Sequence, residues 1–592
     1  MRVSFFYKKE LKLTVYIYIN ISFYDLNLLL MKRISRKQFL QQTAIGLGSV
    51  MLFSGFDFTS AKTDGDFVIG NTAFGKVKGR REKGVNIFKG IPYAGRISGD
   101  RRFLPPAPLE PWKGIRDSFR LGTPAMQSPN TVYGIDEPHP GEDCLFLNVW
   151  TPANDNGKRP VMFYNHGGGF STGSGGSAGQ DGANLARFFD VVVVETNHRL
   201  NIFGYLYLGE VAGEKYNTSG NNGMLDIVDG LKWVNQNISE FGGDPNNVMI
   251  WGESGGGAKT SCLYAMPAAT KYFNKASIES GPGVMMTPLE TAIKTTNLLL
   301  KELNLSPKDW LKLLEIPAQK LFEIQPQLLK AAAPSGLQVP SNQIRGIGAS
   351  VIGGFSPVVD GIVLPGHPFS PASPALSLNK PLLIGWNEDE YTFFASSSGD
   401  VSGYKLQDFD ALHKMIEPKF GENTGKIIET YRTSRPEGSP AALYNEIMSV
   451  TFMGLGSIEI AEKKAKQNAA PVYLYNFGYK SGLKVPNTDF PMGTAHAMDI
   501  GFKFNNVRSE MPGQYLAGDR PERFKASLNF AGLWTSFART GKPGVKDQPE
   551  WPAYDLVKRP TYKIDTECEV IYDRNKSERE LWTSLGYLGS QE

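Results

Sequence analysis

Short apolar runs and helix-spaced apolar stripes take turns along this chain. Pro160 to Asn165 is one such run, Val191 to Val194 a second and Val248 to Trp251 a third. Pro381 to Trp386 and Pro471 to Phe477 repeat the pattern later. Val191 to Val194 shows no polar alternation, which is what a strand covered on both faces requires. Between these runs, Val228, Leu231, Val234, Ile238 and Phe241 recur at steps of three and four. That spacing is one face of a helix, and Gly242-Gly243 closes it. Residues 285–332 also read as helical and as an insertion over one face of the sheet. The stretch 333–377 is rich in Gly, Pro and Ser and reads as surface loop rather than linker. Strands alternating with helices predict an α/β fold. From Asp66 on there is no repeat and no low-complexity linker, so residues 62–592 are expected to form a single domain.

Composition leaves that picture intact: 41% of the 592 residues are hydrophobic and 21% are charged, as in a globular chain with a large core. Charge changes it at one end. The net charge is +4, yet residues 1–61 hold eight Lys/Arg against three Asp/Glu. The remainder is therefore close to neutral, with no basic footprint for nucleic acid. Within that leader, "MKRISRKQFLQQTAIGLGSVMLFSGFDFTSA" starts at Met31. It joins a basic segment (Lys32, Arg33, Arg36, Lys37) to an apolar one (Thr43 to Phe53) and to small residues at Thr59-Ser60-Ala61. This is the layout of an export signal, resembling a twin-arginine motif with Lys37 at the second arginine. The mature protein is expected to be exported, periplasmic or secreted. The other reading is a membrane anchor, but the apolar run is short for a bilayer. Residues 1–30 are expected to be a spurious upstream extension. Three cysteines make no disulfide framework, and no CxxC or His-rich spacing points to a metal, so neither metal nor cofactor is expected.

The candidate chemistry begins where the third apolar run ends. Gly252-Glu253-Ser254-Gly255-Gly256 satisfies G-x-S-x-G, between a strand and the plausible helix "GGAKTSCLYAM". That context describes a nucleophile elbow, a tight turn that strains the serine backbone and lifts its hydroxyl off the sheet. An ordinary Gly-rich turn fits the five residues equally well, so the rest of the chain has to decide. "HGGGF", His166 to Phe170, follows an earlier strand, and the N–H groups of Gly168, Gly169 and Gly255 are candidate donors to an oxyanion. No lysine stands at the spacing of a phosphate-binding loop. Of six histidines, His139, His166 and His198 precede Ser254 and fall outside the order serine, acid, histidine. His166 is expected to brace the glycine loop. His367 sits in a Gly-His-Pro loop and His413 in a helical pattern, which leaves His496, in "GTAHAMDIGFKF", as the candidate base. For the acid, Glu388, Asp389 and Glu390 all follow the strand ending at Trp386, and spacing does not choose among them.

These segments resemble the type-B carboxylesterases, the group that includes cholinesterases and bacterial p-nitrobenzyl esterases. "FGGDPNNVMIWGESGGG" fits the family's serine signature and "EDCLFLNVW" its second signature. "FKGIPYA", "NHRLNIFGYL" and "WTSFARTGKPG" occur in the family's order. The resemblance implies an α/β-hydrolase fold: a large central, mostly parallel sheet flanked by helices, with a small N-terminal β-sheet and helical insertions. It implies a Ser-His-Glu triad, and the family's acid pattern falls on Glu390, in Asp389-Glu390-Tyr391. It aligns Gly493, His496 and Asp499 with a Gly-x-x-His-x-x-acidic pattern, and Ser280 with a serine that helps to orient the acid. Tyr391 stands where the family has glycine, which is expected to narrow the space near the triad. Gly255 replaces an alanine. Cys144, paired in relatives, is expected to be a free buried thiol, with Met126 near its missing partner.

The implied activity is hydrolysis of small-molecule carboxylic esters through an acyl-enzyme. The alternatives are a non-catalytic cholinesterase-like adhesion module, and an amidase or peptidase with the same triad. Phe170, Trp251, Phe393 and Phe394 are each expected to be core rather than substrate wall. Nothing in the residues speaks to oligomeric state.

Overall fold

The apolar runs become neighbours in one sheet. The computed structural model describes residues 2–4, 16–18, 67–128, 137–332, 348–508 and 515–588. Arg2–Ser4 pairs antiparallel with Tyr16–Tyr18, and the other residues of the expected leader lie outside the described ones. From Phe67 on, the described chain is one unit built on a thirteen-stranded sheet.

Seven strands at its heart are parallel. In spatial order they are Pro560–Ile564, Val472–Phe477, Leu382–Asn387, Lys275–Glu279, Gly243–Glu253, Arg159–Asn165 and Val192–Thr196. Every residue of Val192–Thr196, Leu382–Asn387 and Val472–Phe477 is buried. The reason is visible in the alternation of side chains. Val161, Phe163 and Ile250 point into one apolar cluster. Met162, Tyr164 and Trp251 point into another on the opposite face. The helix Asn222–Asn237 and the tight turn Ile238–Phe241 cover the first, and Val228, Leu231, Val234, Ile238 and Phe241 are all buried there. Gly242, at φ 76°, ends the segment as expected. The helix Arg523–Thr540 covers the second face with Phe530, Leu533, Trp534 and Phe537.

The N-terminal strands Phe67–Thr72, Gly75–Glu82 and Ile115–Asp117 make the small sheet the resemblance implies. It is not separate. Arg80–Glu82 folds back onto Val85–Ile87 across Lys83-Gly84, and that hairpin joins it to the large sheet. Both turn residues have positive φ, as a two-residue hairpin with the strands' own twist demands. The helical stretch 285–332 is an insertion of four short helices, Leu289–Glu302, Pro307–Leu314, Ala318–Glu323 and Gln325–Ala332. A second insertion, between Leu382–Asn387 and Val472–Phe477, carries Phe409–Phe420, Thr424–Ser434, Pro440–Ser449 and Leu455–Lys466. Residues 348–377 are mostly irregular, but Phe355, Val363, Leu364 and Phe369 are buried in the first cluster, so the segment packs against the core rather than lying on the surface as expected; 333–347 lie outside the described residues. Among the described residues no helix is long and apolar enough to cross a membrane.

Candidate active site

Gly243–Glu253 runs up the centre of the sheet and stops at Ser254, whose backbone sits at φ 57°, ψ −124°. The helix Gly255–Ala265 starts at the next residue. This is the strained turn expected of an elbow. Its glycines are required by close approach: a Cβ on Gly256 would lie 1.9 Å from the carbonyl oxygen of Asn165, and one on Gly252 2.5 Å from it.

The elbow delivers the hydroxyl to the imidazole. Ser254 Oγ is 2.8 Å from His496 Nε2, and His496 Nδ1 is 2.5 Å from Glu390 Oε2. The other carboxylate oxygen, Oε1, accepts from the backbone N–H of Asn387 at 2.8 Å. All three side chains are buried, Ser254 and His496 with 8% and 4% left exposed at the cavity. The neighbouring acids point elsewhere. Glu388 pairs with Lys480 and Arg574. Asp389 takes Lys480, the amide of Asn445 and the N–H of Thr494. Geometry therefore makes the choice among the three acids that spacing leaves open.

Ser280 departs from expectation. Its N–H bonds Gly385 O at 2.9 Å, its backbone is left-handed at φ 43°, and its hydroxyl has no hydrogen-bond partner among the described residues. Glu390 Oε1 takes the Asn387 N–H of its own turn, and no direct hydrogen bond joins Ser280 to it among the described residues. Cys144 is a free, buried thiol as expected.

Gly168 and Gly169 adopt φ 86° and 61° and open onto the cavity. They pack on the elbow so tightly that a Cβ on Gly255 would lie 2.2 Å from Gly169 O. The three candidate oxyanion donors are thus brought to one place. His166 braces the loop as expected: Nδ1 lies 2.9 Å from Gly167 O, and the ring stacks on His198 at 4.4 Å. Burial, with Lys259 nearby, holds both histidines well below their usual range. Lys259, which no motif marks, is buried behind them and donates to His166 O at 2.9 Å. Its burial pulls it down to about 7.

Glu253 occupies the variable position of G-x-S-x-G, so the motif hides it. Its Oε1 lies 3.4 Å from His496 Nε2, in ion-pair range but without a hydrogen bond. Burial drives Glu253 up, to about 8, and the imidazolium opposes this. For His496 burial pulls downward, but Glu253 and Glu390 outweigh it and raise the ring to about 9. The two groups titrate as a pair. Glu253 pulls on the imidazolium once it has ionised, and with Glu390 it holds the ring above the usual histidine range. Behind them Lys503 bridges Asp499 and Glu279 with no exposure at all, and Asp499 Oδ1 accepts from Asn387 Nδ2 at 3.1 Å. The acid turn and the histidine loop are tied together there, with Asp499 as the link.

A cavity of about 420 Å³ opens over Ser254. Phe170 and Trp251 are core, as expected, but Phe393 and Phe394 are not. They line the cavity with Phe452, and all three rings lie 5.5–5.8 Å from the His496 ring. The short helix Thr392–Ser398 turns both phenylalanines inward just after the acid. Phe452 comes from a π-helical turn, Val450–Gly454, a local irregularity frequent at functional sites and invisible to apolar spacing. Tyr391 packs on Phe394, Tyr444 and Phe452, behind this wall rather than in it.

With this geometry in view, the relatives agree. A model of the carboxylesterase family matches residues 67–582. The para-nitrobenzyl esterase of Bacillus subtilis (strain 168) is 33% identical over 520 residues, which cover 87% of this chain and 98% of that one. The fumonisin B1 esterase of Sphingopyxis macrogoltabida is 30% identical, over 84% and 86% of the two chains. The crystal structure of carboxylesterase EST55 of Geobacillus stearothermophilus at pH 6.2 matches with a TM-score of 0.72 at 36% identity, over 87% of this chain and 99% of that one. The chain is an α/β-hydrolase and belongs to the carboxylesterase family.

Proposed function

We propose that the protein hydrolyses small-molecule carboxylic esters with Ser254 as nucleophile, His496 as base and Glu390 as orienting acid. The observation that carries this reading is the unbroken chain Ser254 Oγ–His496–Glu390, at 2.8 and 2.5 Å. Glu390 fixes the proton on Nδ1, so Nε2 accepts the serine proton as Oγ attacks the ester carbonyl. The N–H groups of Gly168, Gly169 and Gly255 meet the developing oxyanion. His496 returns the proton to the departing alcohol, and water, activated by the same imidazole, releases the acid from the acyl-enzyme. A fluorophosphonate tests this directly. It is expected to add to one residue only, and mass analysis of the peptide is expected to place it on Ser254. Labelling elsewhere, or hydrolysis that survives stoichiometric labelling, would overturn the assignment. The reading extends to location: the basic and apolar segments of residues 31–61 support export and removal of the leader.

The acid side of the pH profile follows from the carboxylates around His496. The base works only when neutral, so kcat/KM rises as pH climbs through the histidine titration and levels off above it. Because Glu253 and Glu390 raise that titration, the rise is expected above the ordinary histidine range. Glu253→Gln is expected to move it to lower pH by removing one attracting carboxylate, with activity largely retained at alkaline pH. An unmoved or upward-shifted profile would show that Glu253 does not act on the base.

A further inference from the structure

Two separate pieces of chain supply the candidate oxyanion donors: Gly168 and Gly169 come from the glycine loop, and Gly255 opens the helix Gly255–Ala265. A trans peptide plane carries its C=O and N–H on opposite sides, so a carbonyl held from behind aims the next N–H forward. In the loop this happens twice. Gly167 O takes His166 Nδ1 at 2.9 Å, which sets the N–H of Gly168. Gly168 O takes the N–H of Thr172 at 3.0 Å, which sets that of Gly169. One carbonyl earlier, His166 O is held from outside the loop, by Lys259 Nζ at 2.9 Å. Lys259 stands on the same helix as Gly255, so this bond joins the loop to the element that begins at the nucleophile. A lysine is a costly choice at such a place. Its side chain is fully buried, and no carboxylate pairs with it among the described residues. Besides His166 O, Nζ has the Phe170 ring at 6.0 Å. An apolar chain of similar length would fill the space without burying an amine. What the amine adds is the bond to the loop, and an amine donates that bond as an ammonium does.

We propose that Lys259 is a positioning residue for the oxyanion donors. By holding His166 O it fixes the glycine loop against the helix of Ser254, so that the N–H groups of Gly168, Gly169 and Gly255 converge on one point. Lys259 lies outside the cavity lining and acts only through His166. The transition state feels this more than the bound ester does, because donors that are slightly misaimed lose most where negative charge develops. This inference rests on the ester-hydrolase reading and adds a residue to its machinery.

Lys259→Met removes the amine and keeps the apolar stem. Rates are counted per site titrated to completion with a fluorophosphonate, so that partial misfolding does not pass for lost chemistry. For p-nitrophenyl acetate kcat/KM is expected to fall by about 10- to 100-fold, up to the loss of one oxyanion donor. Trifluoroacetophenone reports on the donors directly: Ser254 Oγ adds to its carbonyl carbon, His496 takes the proton, and the carbonyl oxygen becomes the oxyanion. Its inhibition constant is expected to rise by a similar factor. Planar acetophenone, which forms no adduct, is expected to keep its inhibition constant, and the thermal midpoint is not expected to fall. Lys259→Gln, whose amide can still donate to His166 O, is expected to recover part of both losses. If wild-type enzyme leaves p-nitrophenyl acetate intact, the ester-hydrolase reading itself fails. If the ester is hydrolysed and Lys259→Met matches the wild type per titrated site, or if both ketones weaken equally, Lys259 does not aim the donors and the proposal is overturned. The same follows if neither variant folds, because the lysine then serves the fold as a whole.

Discussion

Ser254→Ala is expected to lower kcat on p-nitrophenyl acetate by about 10⁶-fold. The substitution removes one oxygen and little else. Cβ remains, the φ of 57° is no worse for alanine than for serine, and the N–H of Ser254 still bonds Glu279 O at 2.8 Å. The thermal midpoint is therefore expected to stay near that of the wild type, which separates lost chemistry from lost structure. Residual turnover would come from the glycine donors and the cavity, which stay in place. Because nucleophile and base act as one unit, His496→Ala is expected to cost about as much, and the double variant hardly more than either. Additive losses would mean that the two side chains serve separate steps. A Ser254→Ala enzyme within about tenfold of wild type would end the proposal, because no other group at the cavity replaces a serine hydroxyl bonded to the imidazole.

How far the residues alone led depends on how local each feature is. The parallel strands were legible because burial on both faces writes itself as unbroken apolar runs. The elbow was legible because only glycines tolerate the contacts at 252 and 256. Chain order left three histidines, and the loop around His367 and the helical pattern around His413 left His496. The acid was not singled out: Glu388, Asp389 and Glu390 share one turn, and what separates them is remote. Lys480 and Arg574, distant in sequence, claim the first two carboxylates and leave Glu390 to face the histidine. Phe393 and Phe394 looked like core because an aromatic residue carries no mark of which side it faces, and the helix after the acid decides that. Phe452 depends on a helical irregularity with no spacing signature. Glu253 lay in plain view as the residue before the nucleophile at the end of a strand, a place that itself signals a functional position in a sheet of this kind. Ser280 shows the opposite case, where a motif position is matched but its hydroxyl finds no direct partner among the described residues.

Glu390→Gln is expected to lower kcat by about 10⁴-fold, although it changes neither size nor burial appreciably. The reason lies in what the carboxylate accepts. Oε1 takes the Asn387 N–H and Oε2 takes His496 Nδ1, so both oxygens are committed as acceptors. A glutamine has one acceptor to offer. If its oxygen keeps the Asn387 N–H, its amide nitrogen faces Nδ1 and donates to it. The ring proton then moves to Nε2, which donates to Ser254 instead of accepting from it, and the base is lost. If the amide turns over, two N–H donors meet at Asn387 in a site with no exposure, at a cost in stability. Either outcome slows attack by Ser254, so fluorophosphonate labelling is expected to slow together with kcat, whereas KM changes little. The contrast with Glu253 is the control. That carboxylate lies 3.4 Å from Nε2 and bonds neither ring nitrogen, so Glu253→Gln should shift the pH profile and spare the tautomer. Should Glu390→Gln instead stay within about tenfold of wild type while Glu253→Gln collapses, the orienting acid is the one inside the serine motif, and the triad has to be redrawn through it.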